Sequence, residues 1–426
     1  MQLARLCIFL TLFFAPSRAP AQQPPPASKT TREYSLPPDK LQKAIEYAHA
    51  RNWLHFSSEI YGVAVLLGIL GFGLAGKFRD WAEAASGRRF IQAMIFVPLL
   101  LVANDLLDLP FGIYGQHLER AYGQSIQSWP SWLWDWTKGE LLAILISIPL
   151  GFILYAAIRR SPRRWWFYFW LASLPILFAI AFVEPFVIEP LFFQFEPLAK
   201  QHAELVIELE KVVARGGLAI PPDRMFEMKA SEKLNSLNAY VSGIGASKRV
   251  VVWDTTLQKL STPETLFVFG HEMGHYVLGH VRNSMILSAL FGLLLLYAGY
   301  HSLHWLLHHW GARWRIRGAG DWASLPALLL IASIFGFFSE PVANSYSRWQ
   351  EHQADIYGLE VVHGIVENPT AVAAHSFQVL GEEGLDEPDP SALLEFWTYS
   401  HPSIAERIAF SASYDPWSSG QPKYVK

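Results

Sequence analysis

The chain has 426 residues, of which 51% are hydrophobic and only 17% are charged, against ~25% charged residues in ordinary soluble domains. Its 34 basic and 37 acidic residues give a net charge of −3, so no excess of basic residues points to a nucleic-acid partner. A single cysteine, Cys7, excludes an internal disulfide and a thiolate cluster, so any metal site must use histidines and carboxylates.

Residues 1–21 have the pattern of a signal peptide. A basic residue precedes an apolar run at 6–15, and Ala19 and Ala21 form a small-residue cleavage site. About ten apolar residues are too few to cross a ~30 Å hydrocarbon core, and a short uncleaved anchor is the alternative interpretation. Cleavage would remove the only cysteine. Residues 22–38, with a run of three prolines, are predicted to form an extended tether.

Six stretches further along the chain are nearly free of charged residues, and each is 17 to 21 residues long. That length matches the ~20 residues that a helix needs to cross the hydrocarbon core. One such stretch could be a buried core helix, but six of them separated by polar loops indicate a helical protein that crosses the membrane several times. The predicted spans are 60–76, 90–110, 141–158, 165–183, 284–300 and 322–339.

The chain divides at about residue 195. Residues 39–195 contain the first four predicted spans, and residues 196–426 contain the last two together with the long polar segments. Basic residues cluster in three loops, at 77–89, 159–164 and 313–317, which all fall on the same side if the six stretches span. Because positively charged loops stay in the cytoplasm, we expect the polar part of 196–426 to lie outside it.

The strongest motif is H-E-M-G-H at residues 271–275. The segment S-T-P-E at 261–264 is typical of a capping box, which predicts a helix that carries the motif. On that helix His271 and His275 lie one turn apart on one face, so both imidazoles can reach one Zn²⁺, while Glu272 can accept a proton from water. A capped helix with two surface histidines is the alternative, because this short pattern also arises by chance.

A catalytic zinc needs a third protein ligand and one open position. His280 follows the motif at a spacing that does not fit a metzincin. Glu351, in E-H-Q-A-D at 351–355, is the better candidate, because it lies on a predicted helix just after the last span. Asp355 shares its helix face and can fix a ligand histidine by a hydrogen bond. A solvated helix face is the alternative interpretation of Glu351.

Two further features fit peptide hydrolysis. Residues 237–243 and 249–253 are predicted to be the strands of a hairpin that turns at 244–248. An edge strand near the metal could bind an extended peptide by strand addition, although a purely structural hairpin fits the pattern equally well. His401 or Arg407, near the C-terminus, could stabilise the oxyanion of a tetrahedral intermediate.

Taken together, these motifs resemble the membrane-integrated zinc endopeptidases of the type-1 CAAX prenyl protease family, which remove the C-terminal tripeptide of prenylated proteins. The resemblance covers most of the chain, from about residue 35 to about residue 412, and rests on the ordered set rather than on any one motif. The matching motifs are Asn238-Ala239-Tyr240, Lys248-Arg249-Val250-Val251, Asp254-Thr255, His271-Glu272-x-x-His275, Glu351-x-x-Ala354-Asp355 and His401-Pro402-x-x-x-x-Arg407.

The resemblance implies a mainly α-helical barrel in the membrane around a water-filled chamber, with a gluzincin-like zinc peptidase domain that carries a small β-hairpin or sheet. It also implies a single Zn²⁺, membrane lipid around the helices, and peptide or protein substrates that can be lipidated. The residues it assigns are the zinc ligands His271, His275 and Glu351, the general base Glu272, Asp355 as a partner of a ligand histidine, His401 and Arg407 at the transition state, and Asn238, Ala239 and Tyr240 on the substrate strand.

Two departures set this chain apart from eukaryotic members of that family, which have seven spans and a zinc domain facing the cytosol. Here six spans follow a predicted signal peptide, and the charge pattern places the zinc domain outside the cytoplasm, as expected for a bacterial inner membrane. A cytosolic prenylated protein would then not be the natural substrate. Two alternatives stay open: a quality-control peptidase of the HtpX type, which lacks the multi-span N-terminal half, and a membrane protein with non-catalytic zinc, in which Glu272 would have no role.

Overall fold

The computed structural model describes residues 34–243 and 249–425. The predicted signal peptide with Cys7, the tether up to residue 33 and the predicted hairpin turn at 244–248 lie outside these residues. Within the described ranges six helices are long and apolar enough to cross a membrane, which confirms the predicted number. A small mixed sheet lies in the second half of the chain.

Long apolar helices and shorter helices of the polar region make up most of the structure. In chain order they are α1 (Pro38–Gly71), α2 (Leu74–Ala85), α3 (Arg89–Ala121), α4 (Trp129–Arg160), α5 (Trp165–Val183), α6 (Ala203–Arg215), α7 (Asp254–Lys259), α8 (Thr262–Val277), α9 (His280–Trp310), α10 (Leu325–Val362), α11 (Pro369–Gly384), α12 (Ala392–Thr398) and α13 (Ile404–Ser413). Short π and 3₁₀ turns extend the apolar segment that begins with α5 as far as Leu191.

The first apolar stretch, predicted as one span at 60–76, is divided between two helices. α1 ends at Gly71, and Gly73 takes a left-handed conformation with φ +68° before α2 begins. Glycine adopts this conformation without strain, so it stops α1 here. The side chain of Arg315 packs against the turn, 3.1 Å from where a β-carbon at residue 73 would lie. The first span therefore ends before the predicted boundary.

The last apolar stretch, predicted at 322–339, continues without a break into the segment that carries Glu351. α10 has 38 residues and runs through Pro341. Proline within a membrane helix is tolerated because neighbouring helices and side chains satisfy the freed carbonyl. Glu351 therefore stands on the helix of the last span itself, rather than on a separate helix after it, and the membrane scaffold fixes its position.

The sheet of the described residues has the order β1-β2-β4-β3, with β1 (Phe195–Pro197), β2 (Met225–Met228), β3 (Ala239–Ser242) and β4 (Arg249–Trp253). β3 and β4 are antiparallel, with Tyr240 opposite Val251, which confirms the two predicted hairpin strands. β2 pairs with β4 in parallel, a pairing that the sequence did not predict. β3 lies at the edge, so its outer side has no strand partner among the described residues.

Small residues let α8 and α10 pack closely. A β-carbon at Gly274 would lie 3.0 Å from the β-carbon of Tyr357, and one at Gly358 would lie 3.0 Å from the backbone nitrogen of His271. Such contacts are tighter than nine in ten real β-carbon contacts, so glycine at both positions permits the close approach of the two backbones without a shift of the neighbours. This approach places His271 of α8 beside Glu351 of α10.

The three arginine-rich loops lie together at the opposite end of the membrane helices. Arg79 of α2 donates to Asp321 at 2.6 Å, and Arg159 at the end of α4 donates to the carbonyl of Gly320 at 2.9 Å. α9 has 31 residues, about 45 Å at ~1.5 Å per residue, and separates this region from residues 271–275. We call these two regions the arginine end, around Asp321, and the histidine end, around residues 271–275.

Candidate metal centre

The helix that carries the two histidines begins as its sequence predicts. The carboxylate of Glu264 accepts hydrogen bonds from the backbone N–H and the hydroxyl of Ser261, at 2.7 and 2.6 Å, and it also contacts His375 of α11. A carboxylate at this position satisfies a backbone donor and interacts favourably with the helix dipole. The start of α8 is therefore fixed, and with it the direction of His271 and His275 further along.

Three side chains converge at the histidine end. Ligand atoms of His271, His275 and Glu351 lie within 4.8 Å of one another. Nε2 of His271 is 3.1 Å from Nε2 of His275 and 3.1 Å from Oε2 of Glu351, and Nε2 of His275 is 3.3 Å from Oε1 of Glu351. The structure thus brings together the three residues that the sequence predicts as zinc ligands.

The separation of these atoms fits a tetrahedral zinc ion. Ligands at the usual ~2.0–2.2 Å from Zn²⁺ lie about 3.3 Å from one another. Oε2 of Glu351 is buried and accepts no hydrogen bond from a described residue. Buried acceptors that face one another without donors need a cation or a proton between them. Two imidazoles and one carboxylate beside an open space are also the ligand set of catalytic zinc sites.

Behind the converging atoms, Asp355 and Arg407 hold His271 in place. Nδ1 of His271 lies 2.8 Å from Oδ1 of Asp355, which orients the ring so that Nε2 faces His275 and Glu351. Arg407 forms a two-pronged ion pair with Asp355, with Nε 3.0 Å from Oδ2 and Nη2 2.6 Å from Oδ1. Because Asp355 and Arg407 are both buried, this pair is shielded from water and salt.

The charges around the site shift the pKa values of its groups. Burial alone would lower the pKa of His271, but the hydrogen bond with Asp355 and the negative charges of Glu351 and Asp355 outweigh burial and raise the pKa to about 10. Burial raises the pKa of Glu272 above its ordinary value, so this carboxylate is a stronger base than a solvated one. A metal ion that binds here would displace a proton from His271, because a ligand imidazole is neutral.

His275 has a partner that the sequence did not reveal. Nδ1 of His280 lies 3.1 Å from Nδ1 of His275, and His280 is buried at the start of α9. The side-chain amide of Gln350 donates to the His280 carbonyl at 3.3 Å. His280 has the wrong spacing for a ligand, but the left-handed Gly279, with φ +71°, turns the chain so that the two imidazoles meet. Gly279 was the feature of the sequence that could have indicated this contact, because a glycine often marks the end of a helix and a turn of the chain.

A cavity of 510 Å³ opens onto the converging atoms. Its walls include Glu272, His401, Asn238 and, on the edge strand β3, Tyr240. Ala239, the third residue predicted for the substrate strand, is fully buried and does not line the cavity. Glu272, the predicted base, and the edge strand of the sheet therefore border the same cavity.

The two residues predicted to stabilise an oxyanion lie in different places. The side chain of His401 is 56% exposed and lines the cavity, with Nε2 3.5 Å from Oε2 of Glu351. Arg407 is only 8% exposed and lies behind His271, with Nη2 3.8 Å from Oε2 of Glu351. His401 is thus the one of the two that faces the open space.

A helical membrane scaffold that holds two histidines and a glutamate beside a cavity defines an integral-membrane metalloprotease. Family models match both parts of this chain. The model described as the CAAX prenyl protease N-terminal region, five membrane helices, matches residues 19–194, and the model of peptidase family M48 matches residues 199–413. The chain belongs to peptidase family M48, and its first part is the membrane region found in CAAX prenyl proteases, which confirms the resemblance seen in the motifs.

Known relatives support the same assignment. The chain is 36% identical over 381 residues to a Bacillus subtilis protein named uncharacterized metalloprotease YhfN, over 88% of this chain and 85% of that protein. It is 25% identical over 410 residues to CAAX prenyl protease 1 of Saccharomyces cerevisiae, over 88% of each chain. The crystal structure of S. mikatae Ste24p matches with a TM-score of 0.76 at 22% identity, over 92% of this chain and 93% of that one, which confirms the predicted fold.

Proposed function

We propose that this metalloprotease is a zinc-dependent endopeptidase that hydrolyses peptide bonds in the cavity at the histidine end. The observation that carries the proposal is the convergence of His271, His275 and Glu351, whose ligand atoms lie within 4.8 Å of one another beside that cavity. When bound, zinc would supply Lewis acidity, which lowers the pKa of water and polarises a peptide carbonyl. All other steps fall to the residues of the chain.

Glu272 is placed to move the proton. Its Oε1 lies 3.9 Å from Nε2 of His271, and its side chain lines the cavity. From there it accepts a proton from the attacking water and delivers it to the leaving amine. Its raised pKa suits both steps near neutral pH, because the same group must first take and then release the proton.

His401 is the group that we assign to the oxyanion of the tetrahedral intermediate. It lines the cavity 3.5 Å from Glu351, so its ring can donate to the negative charge that develops on the carbonyl oxygen. The guanidinium of Arg407 is paired with Asp355 at 2.6 Å and does not line the cavity. Through Asp355 it helps to keep the ring of His271 in its orientation. The geometry favours this positioning role over direct contact with the reacting carbonyl.

The substrate binds in extended form along β3. Asn238 and Tyr240 line the cavity, and the outer edge of β3 can pair with a peptide backbone, as in strand addition. Peptides or proteins are the substrates that a protease family implies. The name CAAX prenyl protease 1, carried by the yeast relative, favours lipid-modified proteins among them.

The histidine end faces the outside of a bacterial inner membrane in this proposal. The support is the concentration of positive charge in the loops at 77–89, 159–164 and 313–317, at the other end of the membrane helices. A fluorescent reporter that matures only in the cytoplasm, fused after Lys426, is expected to stay dark. Fluorescence of that fusion would overturn the orientation without affecting the proposed chemistry.

Substitution Glu272→Gln tests the chemistry. The purified full-length variant is expected to keep about one zinc per chain and to hydrolyse peptide about 10²–10⁴-fold more slowly, because only the proton-transfer group is lost. The matched control is Glu210→Gln on the exposed side of α6, which is expected to behave as the parent. Hydrolysis by Glu272→Gln at the rate of the parent protein would rule out the proposed base.

A further inference from the structure

The arginine end carries more positive charge than its carboxylates balance. Residues 72–89, 159–164 and 311–321 contain eleven lysines and arginines against three aspartates and glutamates. Arg79 is the closest partner of Asp80 and of Asp321, at 2.8 and 2.6 Å. Glu83 lies 2.8 Å from Arg317 and 3.9 Å from Arg89. Most of the other basic side chains in these loops therefore carry charge that no acidic group of the loops neutralises.

Arg159 is held in one orientation without an ion pair. The carbon at the centre of its guanidinium lies 4.6 Å from the ring centroid of Trp322 and 5.2 Å from that of Tyr155, and its Nε donates to the carbonyl of Gly320 at 2.9 Å. Contact with two aromatic rings and one backbone hydrogen bond fixes the plane of the guanidinium. Among the described residues no carboxylate pairs with it, so its two Nη groups are available to a ligand.

A pocket of 290 Å³ lies in front of Arg159, with space for about ten water molecules. Arg89 and Arg317 line the same pocket, so three guanidinium groups face one space. Glu83 and Asp321 line it as well, but each is already paired with an arginine, at 2.8 and 2.6 Å. The unbalanced charge in the pocket is therefore positive, and an anion fits it.

We propose that this pocket binds the phosphate group of an anionic phospholipid. The fixed guanidinium of Arg159 can donate two parallel N–H groups to phosphate oxygens, and Arg89 adds a second charge at the rim. The pocket lies where α4 ends and α3 begins, which is the level at which lipid headgroups meet membrane helices. Phe90, 49% exposed, directly follows Arg89 and can contact an acyl chain, which favours a lipid over free phosphate.

Native mass spectrometry of the full-length protein in detergent tests the site. The protein is titrated with phosphatidylglycerol, with phosphatidylcholine and with inorganic phosphate in separate experiments. Phosphatidylglycerol is expected to bind most tightly, and Arg159→Gln is expected to weaken it about tenfold through the loss of a charge-assisted contact. Arg89→Gln, at an exposed position with little effect on folding, is expected to weaken it about threefold.

The matched control is Arg163→Gln, which removes the same charge from an exposed position of the same loop but outside the pocket. It is expected to change the affinity for phosphatidylglycerol by less than about twofold. If Arg159→Gln and Arg163→Gln weaken the binding of phosphatidylglycerol equally, the lipid is attracted by the surface charge in general and the proposed pocket is not its site. If Arg159→Gln weakens the binding of inorganic phosphate but not that of phosphatidylglycerol, the lipid proposal is wrong and the pocket is assigned to a soluble phosphate.

Discussion

The two ends of the molecule are each built around a buried pair of aspartate and arginine, and the two pairs serve different purposes. At the arginine end, Oδ2 of Asp321 accepts from Arg79 at 2.6 Å and from the backbone of Arg317 at 2.9 Å, while Oδ1 accepts from the backbone of Ala323 at 3.2 Å. Both oxygens are satisfied by groups of the protein itself. This network joins loops that are distant in sequence and leaves neither oxygen of Asp321 without a donor, so the phosphate proposed for this end would be held by Arg159 and Arg89, outside the network.

At the histidine end the corresponding network is incomplete. Asp355 is satisfied by Arg407 and by His271, but the other nitrogen of His271 faces His275 and Glu351, and Oε2 of Glu351 has no hydrogen-bond donor among the described residues. A saturated polar network stabilises a fold, whereas a buried one that lacks a partner marks a place where a ligand completes it. The contrast predicts that substitutions at the two ends affect different properties.

The largest effect is expected from Arg79→Gln at the arginine end. The substitution leaves the charge of Asp321, whose side chain is 5% exposed, without a partner, and a buried unpaired charge costs about 3–5 kcal/mol of the free energy of unfolding. Zinc content and peptide hydrolysis of the folded fraction are expected to stay at the parental level. Denaturant unfolding in detergent and metal analysis of the same sample measure the two quantities.

Arg315→Gln is the matched control for Arg79→Gln. Its side chain is 52% exposed and pairs with Asp80, so its loss is expected to cost about 1 kcal/mol or less. If the two variants are destabilised equally, burial of the Arg79–Asp321 pair is not what stabilises this end. If Arg79→Gln also loses zinc, the two ends are coupled and the comparison does not hold.

An intermediate effect, on metal binding rather than on unfolding, is expected from Asp355→Asn at the histidine end. The variant keeps the shape of the side chain but removes the charge that orients His271, and loss of such a partner weakens metal affinity about 10–100-fold. Competition with a chelator measures the affinity of the full-length protein for zinc. The free energy of unfolding of the metal-free protein is expected to change less than in Arg79→Gln, because Arg407 keeps a second carboxylate, that of Glu351, at 3.8 Å.

The control for Asp355→Asn lies further along the same helix. Glu360 is fully buried, and its carboxylate accepts from the backbone N–H groups of Tyr424 at 2.6 Å and Val425 at 2.9 Å. Glu360→Gln is expected to loosen the C-terminal segment and leave zinc affinity unchanged. An equal loss of affinity in both variants would assign the effect to α10 as a whole and not to the contact with His271.

The membrane spans and the histidines of the candidate metal centre could be predicted because their signals are local. An apolar run of about 20 residues has few alternatives to a membrane helix, and the spacing of His271 and His275 fixes their relation on any α-helix. Glu351 was predicted to lie on a helix just after the last span, whereas α10 runs from that span through Pro341 to Glu351 without a break, because neighbouring helices stabilise it around the proline.

Contacts between distant segments could not be predicted. The parallel pairing of β2 with β4, the ion pair of Arg79 with Asp321 and the meeting of His280 with His275 all depend on how the helices pack, and no local periodicity reports that packing. Arg407 illustrates the limit best. Its position after His401 suggested a similar role, but only the three-dimensional structure shows that its guanidinium is committed to Asp355.

The smallest effect is expected from Glu264→Gln, which tests a satisfied network at the histidine end. Burial raises the pKa of Glu264, but its hydrogen bonds with Ser261 and its contact with His375 outweigh burial and lower the pKa below the ordinary value. A carboxylate with a depressed folded-state pKa stabilises the protein above its unfolded pKa of about 4.3, and the contribution is lost as the pH falls through the folded value.

Glu264→Gln is therefore expected to lower the free energy of unfolding by about 1 kcal/mol near pH 7, and the difference from the parent protein is expected to vanish at a pH below the lowered pKa of Glu264. Unfolding curves of both proteins at the two pH values measure it, with Glu210→Gln on the exposed side of α6 as the control. A difference that persists at the lower pH would show that the contact does not depend on an ionised carboxylate. A difference that vanishes would show that the ionised carboxylate of Glu264, which is fully paired within the protein, stabilises the histidine end.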